Sequence, residues 1–342
     1  MAFLMGVCIW LPSLAAQITI TSWGGLYSHA QRRALADAFT QATETRVLME
    51  EWGGGIARIE AMVRHNSYTT HALDSEGDTL VAGCESKALE PIDYQQIGVE
   101  SKDLLAGSIH RCGVGHVAWS MVLVYDSAVF NSEQPANWSD FWDTSRFPGR
   151  RGLGKHVDPN LEIALIADGI AADKVYMHLK TPAGVNRAFE SLSQLAPKID
   201  WWEAGAQAPQ RILDGEVTMS SAWHGRALAA STEESSNLAV VWNGQIVYYD
   251  YWVIPRDHPR KQLSYQFIKF AMSPLRQAEL TRYIPYGATH LEASQHLKPA
   301  ILARLPSAPK NLARWVPHDP EFWHKHGKQL AERFANWTES LR

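Results

Sequence analysis

Two long runs of strand-forming residues constrain the fold of this chain more than any other feature. The first run spans Gly115–Asp126 and the second spans Asn237–Pro255, and aromatic and β-branched side chains are frequent in both. Typical strands have about five or six residues, so each run is long enough to leave one domain and enter another. We therefore predict that the chain crosses between two lobes, through strands that act as hinges.

Strand-like and helix-like segments alternate along the rest of the chain. Ile18–Thr21 is rich in β-formers, and Leu26–Thr43 carries alanines and Phe39 at helical spacing. The pattern repeats in "TRVLMEEW" at 45–52 and in the glycine turn and helix that follow. Repeated βα winding predicts an α/β fold in which each lobe is an open, mostly parallel sheet flanked by helices.

The length of the chain and the position of the crossing runs predict how the lobes divide the sequence. A length of 342 residues corresponds to about two domains. No internal repeat, low-complexity segment or flexible linker interrupts the alternation, so the lobes should be joined by short strands. We expect residues 17–122 and 252–292 in lobe 1, and residues 123–251 and 293–342 in lobe 2.

The first residues, "MAFLMGVCIWLPSLAAQ", form an apolar run followed by small residues. This pattern predicts a secretory signal peptide over residues 1–16, because the run is shorter than the ~20 apolar residues that span a bilayer. We therefore expect a soluble, periplasmic mature protein. No Lys or Arg precedes the apolar core, so the true start codon stays open, and a buried first strand or helix is the alternative.

Removal of the signal peptide would leave two cysteines, Cys84 and Cys112. Two cysteines in an oxidising compartment suggest one disulfide bond. Two separate buried thiols are the alternative.

The charge balance argues against two classes of partner. Lys and Arg number 32 and Asp and Glu number 36, which gives a formal net charge of −4. A mildly acidic chain lacks the excess positive charge with which proteins bind nucleic acid or an anionic membrane. The chain also contains 14 tryptophans, and many of them must be buried or line a site because exposed rings are costly.

One tryptophan, Trp23, stands in the loop Ser22–Gly25 at the end of the first strand. Ligands of open α/β sheets bind at the carboxyl ends of strands, and Gly24 and Gly25 allow a tight turn there. The Trp23 ring can cover a methylene chain or attract an ammonium group. From the residue alone, a ring packed on the loop for stability is an equal alternative.

Arg226 and Asp250 are the two charges that matter most for a ligand. Tyr248 and Asp250 are two residues apart in a predicted strand, so their side chains project from the same face. A ring and a carboxylate side by side can bind an ammonium group. The fork of an arginine suits a carboxylate, so both charges at one cleft would bind a zwitterion such as an ω-amino acid or an opine. A solvated or hinge ion pair is the alternative for Arg226.

A polyamine site would differ, because it would require carboxylates at both ends of the ligand. The candidates for the second carboxylate are Glu76, Asp158 and Glu162. Whether they face inward stays open at this point.

Six motifs occur along the chain in an order that is specific for one protein family. They are "SWGG" at 22–25, "GCESKALEPID" at 83–93, "CGVGHVAWSMVLVYD" at 112–126, "LEIALIADGI" at 161–170, "WWEAGAQAPQRILDGEVTMSSAWHGRA" at 201–227 and "IPYGATHLEA" at 284–293. With these motifs the chain resembles periplasmic solute-binding proteins of ABC importers, in the polyamine, γ-aminobutyrate and opine group. Related chains usually have Trp-Asn-Gly-Arg where this chain has His224 between Trp223 and Gly225, and that substitution could alter ligand choice.

The resemblance implies a two-lobed periplasmic binding protein fold of type II that closes on a ligand in the interlobe cleft. It also implies delivery of a small amine or zwitterion to an inner-membrane permease. It favours a cleft position for Trp23, with Asp250 holding an amine and Arg226 a carboxylate. Trp201 and Trp202 are adjacent and would point to opposite faces, and we choose Trp202 for the cleft. The predicted ligand-binding residues are Trp23, Tyr27, Glu76, Trp119, Glu162, Trp202, Trp223, Arg226, Tyr248, Asp250 and Tyr286.

Two metal hypotheses compete with this interpretation. Tyr248 and Tyr249 resemble the adjacent tyrosines of ferric-iron binding proteins, but strand neighbours point to opposite faces. A zinc enzyme could use His318, His324 and His326, but His324 and His326 do not share a helix face and no "HExxH" occurs. No "GxSxG" occurs either, so we predict a monomeric binding protein without catalysis, metal or cofactor.

Overall fold

The computed structural model describes residues 16–130, 133–231 and 236–341. The signal peptide predicted for residues 1–16, with Cys8, therefore lies almost wholly outside the described residues. The strands are β1 Gln17–Ser22, β2 Arg46–Glu51, β3 Ala72–Glu76, β4 Ile109–His110, β5 Gly113–Asp126, β6 Arg151–Gly154, β7 Ile199–Trp202, β8 Met219–Trp223, β9 Leu238–Val253, β10 Gly287–Ala288 and β11 Val316–Pro317.

Helices follow most strands. The α-helices are α1 Gly25–Gln31, α2 Asp37–Thr43, α3 Ala57–Arg64, α4 Gly77–Glu85, α5 Tyr94–Ile97, α6 Trp138–Trp142, α7 Asn160–Ala167, α8 Val175–Leu179, α9 Pro182–Leu195, α10 Gln207–Leu213, α11 His224–Ala230, α12 Lys261–Ala271, α13 Pro274–Tyr283, α14 Pro299–Leu302 and α15 Pro320–Ser340. A π-helical segment, Arg32–Ala36, joins α1 to α2. Among the residues described, no helix has both the length and the apolarity needed to cross a bilayer.

The strands form one mixed sheet with the order β2-β1-β3-β9-β5-β8-β6-β7. At one end β1 pairs parallel with β2 and β3, and at the other end β6 pairs parallel with β7 and β8. We call β1–β3 the first half-sheet and β6–β8 the second half-sheet. Between them lie the antiparallel strands β5 and β9, which have 14 and 16 residues. The two long runs in the sequence are therefore the two strands that connect the half-sheets.

Each half-sheet has its own apolar core. Ile18 and Ile20 of β1 pack with Phe39 of α2 and Phe267 of α12, whereas Leu161 of α7 belongs to a separate cluster on the second half-sheet. In each core, helices pack against the strands of one half-sheet, which is the arrangement of an α/β fold. The predicted α/β class is therefore confirmed.

The C-terminal helix α15 contacts both halves of the molecule. Asp319 caps its amino end by accepting a hydrogen bond from the backbone N–H of Phe322 at 3.0 Å. Phe322 and Phe334 are buried in the core of the second half-sheet. His324 lies within 3.1 Å of Asp78 in α4, which follows the first half-sheet. The helix thus links the two halves independently of the crossing strands.

A disulfide bond joins Cys84 of α4 to Cys112, which immediately precedes β5. The predicted pairing is present, so the alternative of two separate thiols is wrong. The bond closes a loop with a sequence separation of 28 residues. It therefore ties the first half-sheet's helix to the start of a crossing strand.

Loss of this bond should destabilise the protein. Closing a loop of this length restricts the unfolded chain, so Cys84→Ser with Cys112→Ser should lower the free energy of unfolding by about 3–4 kcal/mol. Urea titrations of both proteins, with and without a reductant, measure this difference. The reductant should shift only the wild-type curve, and equal curves for both proteins without it would contradict the prediction.

Candidate functional site

Strand ends from both half-sheets meet at the middle of the crossing strands. Trp23 follows β1, Glu76 ends β3 and Trp223 ends β8. Trp119 and Asp250 lie within β5 and β9. The carboxyl ends of strands in α/β sheets are where ligands bind, so this junction is the candidate site.

The register of the strands aligns several candidate side chains on one face. Trp119 pairs with Tyr248, and Asp250 pairs with Glu76 on its other side. Paired residues and residues two apart along a strand share a face. Trp119, Tyr248, Asp250 and Glu76 therefore share one face of the sheet.

The loop that carries Trp23 turns at two glycines. Gly24 and Gly25 have φ angles of 88° and 58°, in the left-handed region that glycine adopts most readily. A Cβ atom on Gly54 would stand only 2.9 Å from the Trp23 ring, so the second glycine turn packs directly against it. The Trp23 and Trp52 ring centroids are 5.6 Å apart.

Asp74 is the residue of the site that the sequence reasoning missed. Its side chain in β3 is fully buried, with 0% exposure. It accepts hydrogen bonds from Gln31 Nε2 at 2.5 Å and Trp23 Nε1 at 3.4 Å, and His116 Nε2 lies 3.2 Å away. A signal for it existed, because "LDSE" places two carboxylates two residues apart in a strand, where Asp is uncommon.

Asp250 is buried without a charged partner. Its exposure is 4%, it accepts a hydrogen bond from Trp119 Nε1 at 3.0 Å, and it forms no ion pair with a described residue. Burial raises its pKa well above the usual value, and the charges of Asp74 and Glu76 raise it further. Lost hydration and Asp74 also raise the pKa of Glu76. A cation placed among these carboxylates would relieve both effects.

Aromatic rings enclose this carboxylate group. Trp119 stacks on Tyr248 with centroids 4.5 Å apart and planes at 10°, and Trp223 meets Trp119 edge-on at 5.0 Å. Tyr27 and Tyr286 contact each other at 5.4 Å. We define Trp23, Tyr27, Trp119, Trp223 and Tyr286 as the aromatic box. Rings around buried carboxylates suit an ammonium group on an apolar stem.

Both phenols of the aromatic box stay protonated and can donate hydrogen bonds. Burial raises the pKa of Tyr27 well above its usual value, with further contributions from Asp74 and Asp250. Burial raises the pKa of Tyr286 to about 12, and the nearby positive charge of Arg226 acts in the opposite direction. Arg226 is exposed and has no ion pair with any residue that the structure describes.

His224 connects the walls of the site. It is 1% exposed, its Nδ1 accepts from the backbone N–H of Ser120 at 3.1 Å, and its Nε2 lies 2.7 Å from the Pro285 carbonyl. Since Nδ1 accepts, Nε2 must carry the proton and donate. Burial lowers the pKa of His224 to about 4, so the ring is neutral. This histidine thereby fixes the turn that carries Tyr286 against α11, which carries Arg226.

Trp202 and its neighbour Trp201 pack away from the aromatic box. Trp202 is 1% exposed at the end of β7 and meets the His156 ring edge-on at 5.1 Å. Trp201 is half-buried and packs edge-on against Phe334 and Trp337 of α15. No ring contact joins either tryptophan to the box within the described part of the chain. Both rings instead contribute to packing around the second half-sheet.

Glu162 lies in a second polar group behind Tyr248. Glu162 Oε1 accepts from Tyr176 and from Trp323 Nε1, both at 2.7 Å. Nearby, Asp158 accepts from the Tyr248 hydroxyl at 2.5 Å and pairs with His318 Nε2 at 3.0 Å. We define Asp158, Glu162 and His318 as the Asp158 cluster. The structure thus separates Glu162 from Asp250 and Glu76.

The residues of the two metal hypotheses have separate partners. The hydroxyl of Tyr248 donates to Asp158, whereas that of Tyr249 donates to the Ala106 carbonyl at 2.8 Å. His318 pairs with Asp158, and His324 lies near Asp78 and Glu85. Among described residues no group of three or more His, Cys, Asp or Glu is arranged to hold a metal ion.

Comparison with known proteins places this geometry among transport proteins. The profile of a family described as bacterial extracellular solute-binding protein matches residues 34–310. The gamma-aminobutyric acid-binding protein of Pseudomonas aeruginosa is 39% identical over 321 residues, covering 94% of this chain and 90% of that protein. The match extends over both half-sheets and both crossing strands.

Solved structures that are similar to this chain are also those of binding proteins. A GABA receptor is 30% identical, with a TM-score of 0.79 over 94% of this chain and 97% of that chain. The binding protein MotA from A. tumefaciens B6, in complex with glucopine, is 28% identical, with a TM-score of 0.74 over 94% of this chain and 99% of that chain. These structural neighbours are two-lobed periplasmic binding proteins, so the predicted two-lobed fold is confirmed.

The buried neutral state of His224 predicts a specific response to acid. Its folded-state pKa of about 4 lies below the ordinary value of 6.5, so the unfolded chain binds the proton first as the pH falls. Stability from this residue is present above pH 6.5 and is lost toward pH 4, by about 3 kcal/mol in total. His224→Gln should therefore weaken this part of the pH dependence.

Urea titrations at several pH values between 7 and 4 measure this effect on the free energy of unfolding. The raised pKa values of Asp250 and Glu162 act in the opposite direction in both proteins, so the difference between wild type and variant isolates His224. His65→Gln, at an exposed histidine after α3, is the matched control. A His224→Gln protein with the wild-type pH dependence would contradict the lowered pKa of His224.

Proposed function

Since this chain belongs to the family of bacterial extracellular solute-binding proteins, the substrate-binding components of ABC transporters, we propose that its ligand is a small zwitterion of the γ-aminobutyrate type. The 39% identical relative from Pseudomonas aeruginosa is named for γ-aminobutyrate, and solved relatives include a GABA receptor and a glucopine complex. The ligand would carry one ammonium group and one carboxylate, joined by a short apolar stem.

The observation that carries this proposal is the buried Asp250, which has no cationic partner among the described residues. A carboxylate removed from water is costly unless it is paired, and the side-chain hydrogen bonds of Asp250 come from neutral groups, the Trp119 indole and the Tyr27 phenol. The ammonium group of the ligand would supply the missing charge. The stacked rings of Trp119 and Tyr248 and the edge of Trp223 would cover the methylene stem.

Arg226 supplies the second half of the recognition. It lies in the first turn of α11, close enough to Tyr286 to influence the pKa of its phenol. A guanidinium fork binds a carboxylate through two parallel hydrogen bonds, which a single ammonium could not do. A ligand held by Asp250 at one end and Arg226 at the other would bridge strand β9 and helix α11. Ligand capture would then favour the closed arrangement of the lobes.

The cellular role follows from the family and from the amino-terminal pattern. We propose export through the signal peptide over residues 1–16 and delivery of the ligand to an inner-membrane ABC permease. Named relatives are binding proteins of transport systems, and we propose that this chain likewise performs no chemistry on its ligand. A polyamine is the second candidate ligand, because Glu76 stands beside Asp250 as another carboxylate.

Neutralising the central carboxylate should abolish amine binding. Asp250→Asn removes one partner of a buried charge pair, which typically costs about 3–5 kcal/mol, so the affinity for γ-aminobutyrate should fall by well over tenfold. Isothermal titration calorimetry measures the dissociation constant. Asp168→Asn, at a surface ion pair with Arg187, is the matched control. Unchanged affinity in Asp250→Asn would contradict the proposed role.

Removing the arginine should separate two classes of ligand. Arg226→Ala should weaken γ-aminobutyrate by roughly tenfold or more, because the ligand carboxylate loses its charged partner, and should spare putrescine. Titrations with both ligands measure the ratio, and Arg64→Ala at an exposed arginine of α3 serves as the control. Equal loss for both ligands would mean that Arg226 has a structural role.

A further inference from the structure

We propose that His318 is an internal cation that occupies a second carboxylate site and so makes the cleft select ligands with one ammonium group over diamines. The inference rests on the proposed function, because it explains why a zwitterion would be preferred. It assigns His318 as a specificity-determining residue that acts without contacting the ligand.

The Asp158 cluster has the composition of an ammonium site. Asp158 lies in the loop between β6 and α7, near Glu162 on α7, and Glu162 is fully buried. Glu162 Oε1 has two donors, Tyr176 and Trp323, whereas its buried Oε2 has no hydrogen-bond partner among the residues that the structure describes. Asp158 keeps 31% of its side chain exposed. A partly open pair of carboxylates of this kind would attract a cation from the cleft.

His318 already supplies that cation from within the chain. Its Nε2 pairs with Asp158 Oδ2 at 3.0 Å, and its ring stacks on Tyr248 at 4.2 Å. Burial lowers the pKa of His318, but the charges of Asp158 and Glu162 outweigh burial, and the net pKa is raised. Burial raises the pKa of Glu162 to about 7, and His318 opposes that rise. A positive charge on His318 would therefore offset negative charge on the carboxylate with which it pairs.

The position of Tyr248 connects this cluster to the aromatic box. Tyr248 is stacked between Trp119, at 4.5 Å, and His318, at 4.2 Å, and its hydroxyl donates to Asp158. Trp119 in turn donates to Asp250. The two groups of carboxylates thus flank one stack of aromatic rings. A diamine anchored at Asp250 could extend past that stack toward Asp158 only if Asp158 lacked its internal partner.

The backbone holds His318 independently of its side chain. His318 N–H donates to the Val247 carbonyl at 2.8 Å, and Val316 and Pro317 pair with β9. A substitution of the imidazole should therefore leave the segment in place. It would remove the positive charge and leave Asp158 and Glu162 facing Tyr248 and Trp323, with Asp319 and Glu76 as further nearby acids.

The test compares putrescine with γ-aminobutyrate in charge-removing and charge-keeping variants. His318→Gln should raise the affinity for putrescine relative to γ-aminobutyrate by about tenfold or more, because the cluster then requires an external cation. His318→Lys should restore the wild-type ratio. Adding Asp158→Asn to His318→Gln should remove the gain. A purely structural role would weaken both ligands together and leave their ratio unchanged.

The outcomes separate this inference from the proposed function. If wild-type protein binds γ-aminobutyrate and the ratio is the same in His318→Gln, the inference is overturned and the proposed function stands. If wild-type protein prefers putrescine, both are overturned. Should His318→Gln fail to fold, NMR of the wild-type imidazole decides. A protonated ring at pH 7 supports the internal cation, and a neutral ring overturns it.

Discussion

The antiparallel pairing of β5 with β9 is the interaction on which the rest of the structure depends. These strands lie between the two half-sheets in the sheet order. They thereby connect the apolar core around Ile18 to the apolar core around Leu161. The same pairing aligns Trp119 with Tyr248 and places Asp250 beside them. Because side chains alternate along a strand, a shift of one residue between β5 and β9 would put Trp119 on the opposite face from Tyr248 and Asp250. The register of β5 against β9 therefore both connects the half-sheets and positions the candidate ligand-binding side chains.

The two groups of carboxylates beside these strands have different partners. Asp74 and Asp250 receive hydrogen bonds from indole and amide donors, with His116 beside Asp74, and Asp250 has no ion pair with a described residue. Asp158 and Glu162 have His318 as a built-in partner. A buried carboxylate without a counter-charge is costly to the folded protein, and a ligand can recover that cost as binding energy. We infer that the difference between the groups determines which ammonium groups the protein accepts.

Neutral groups hold the aromatic box in shape. His224 bridges Ser120 of β5 and the Pro285 carbonyl, so the turn of Tyr286 and the first turn of α11 keep a fixed relation. Trp52 donates to the backbone carbonyl of Asp74 at 3.1 Å and supports Trp23. Rigid neighbours of this kind lower the ordering cost when a ligand binds.

The sequence by itself determined the α/β class, the two crossing strands, the disulfide cysteines and the shared face of Tyr248 and Asp250. All of these follow from local periodicity, residue type or motif order, which short segments express without their neighbours. Only the tertiary structure decided that Asp74 joins Asp250, that Trp202 packs in a core, and that His318 meets Asp158 and Glu162. These contacts join residues far apart in the chain, such as His318 and Asp158 at a separation of 160 residues. No local period encodes them, because they arise only when the half-sheets and α15 pack together.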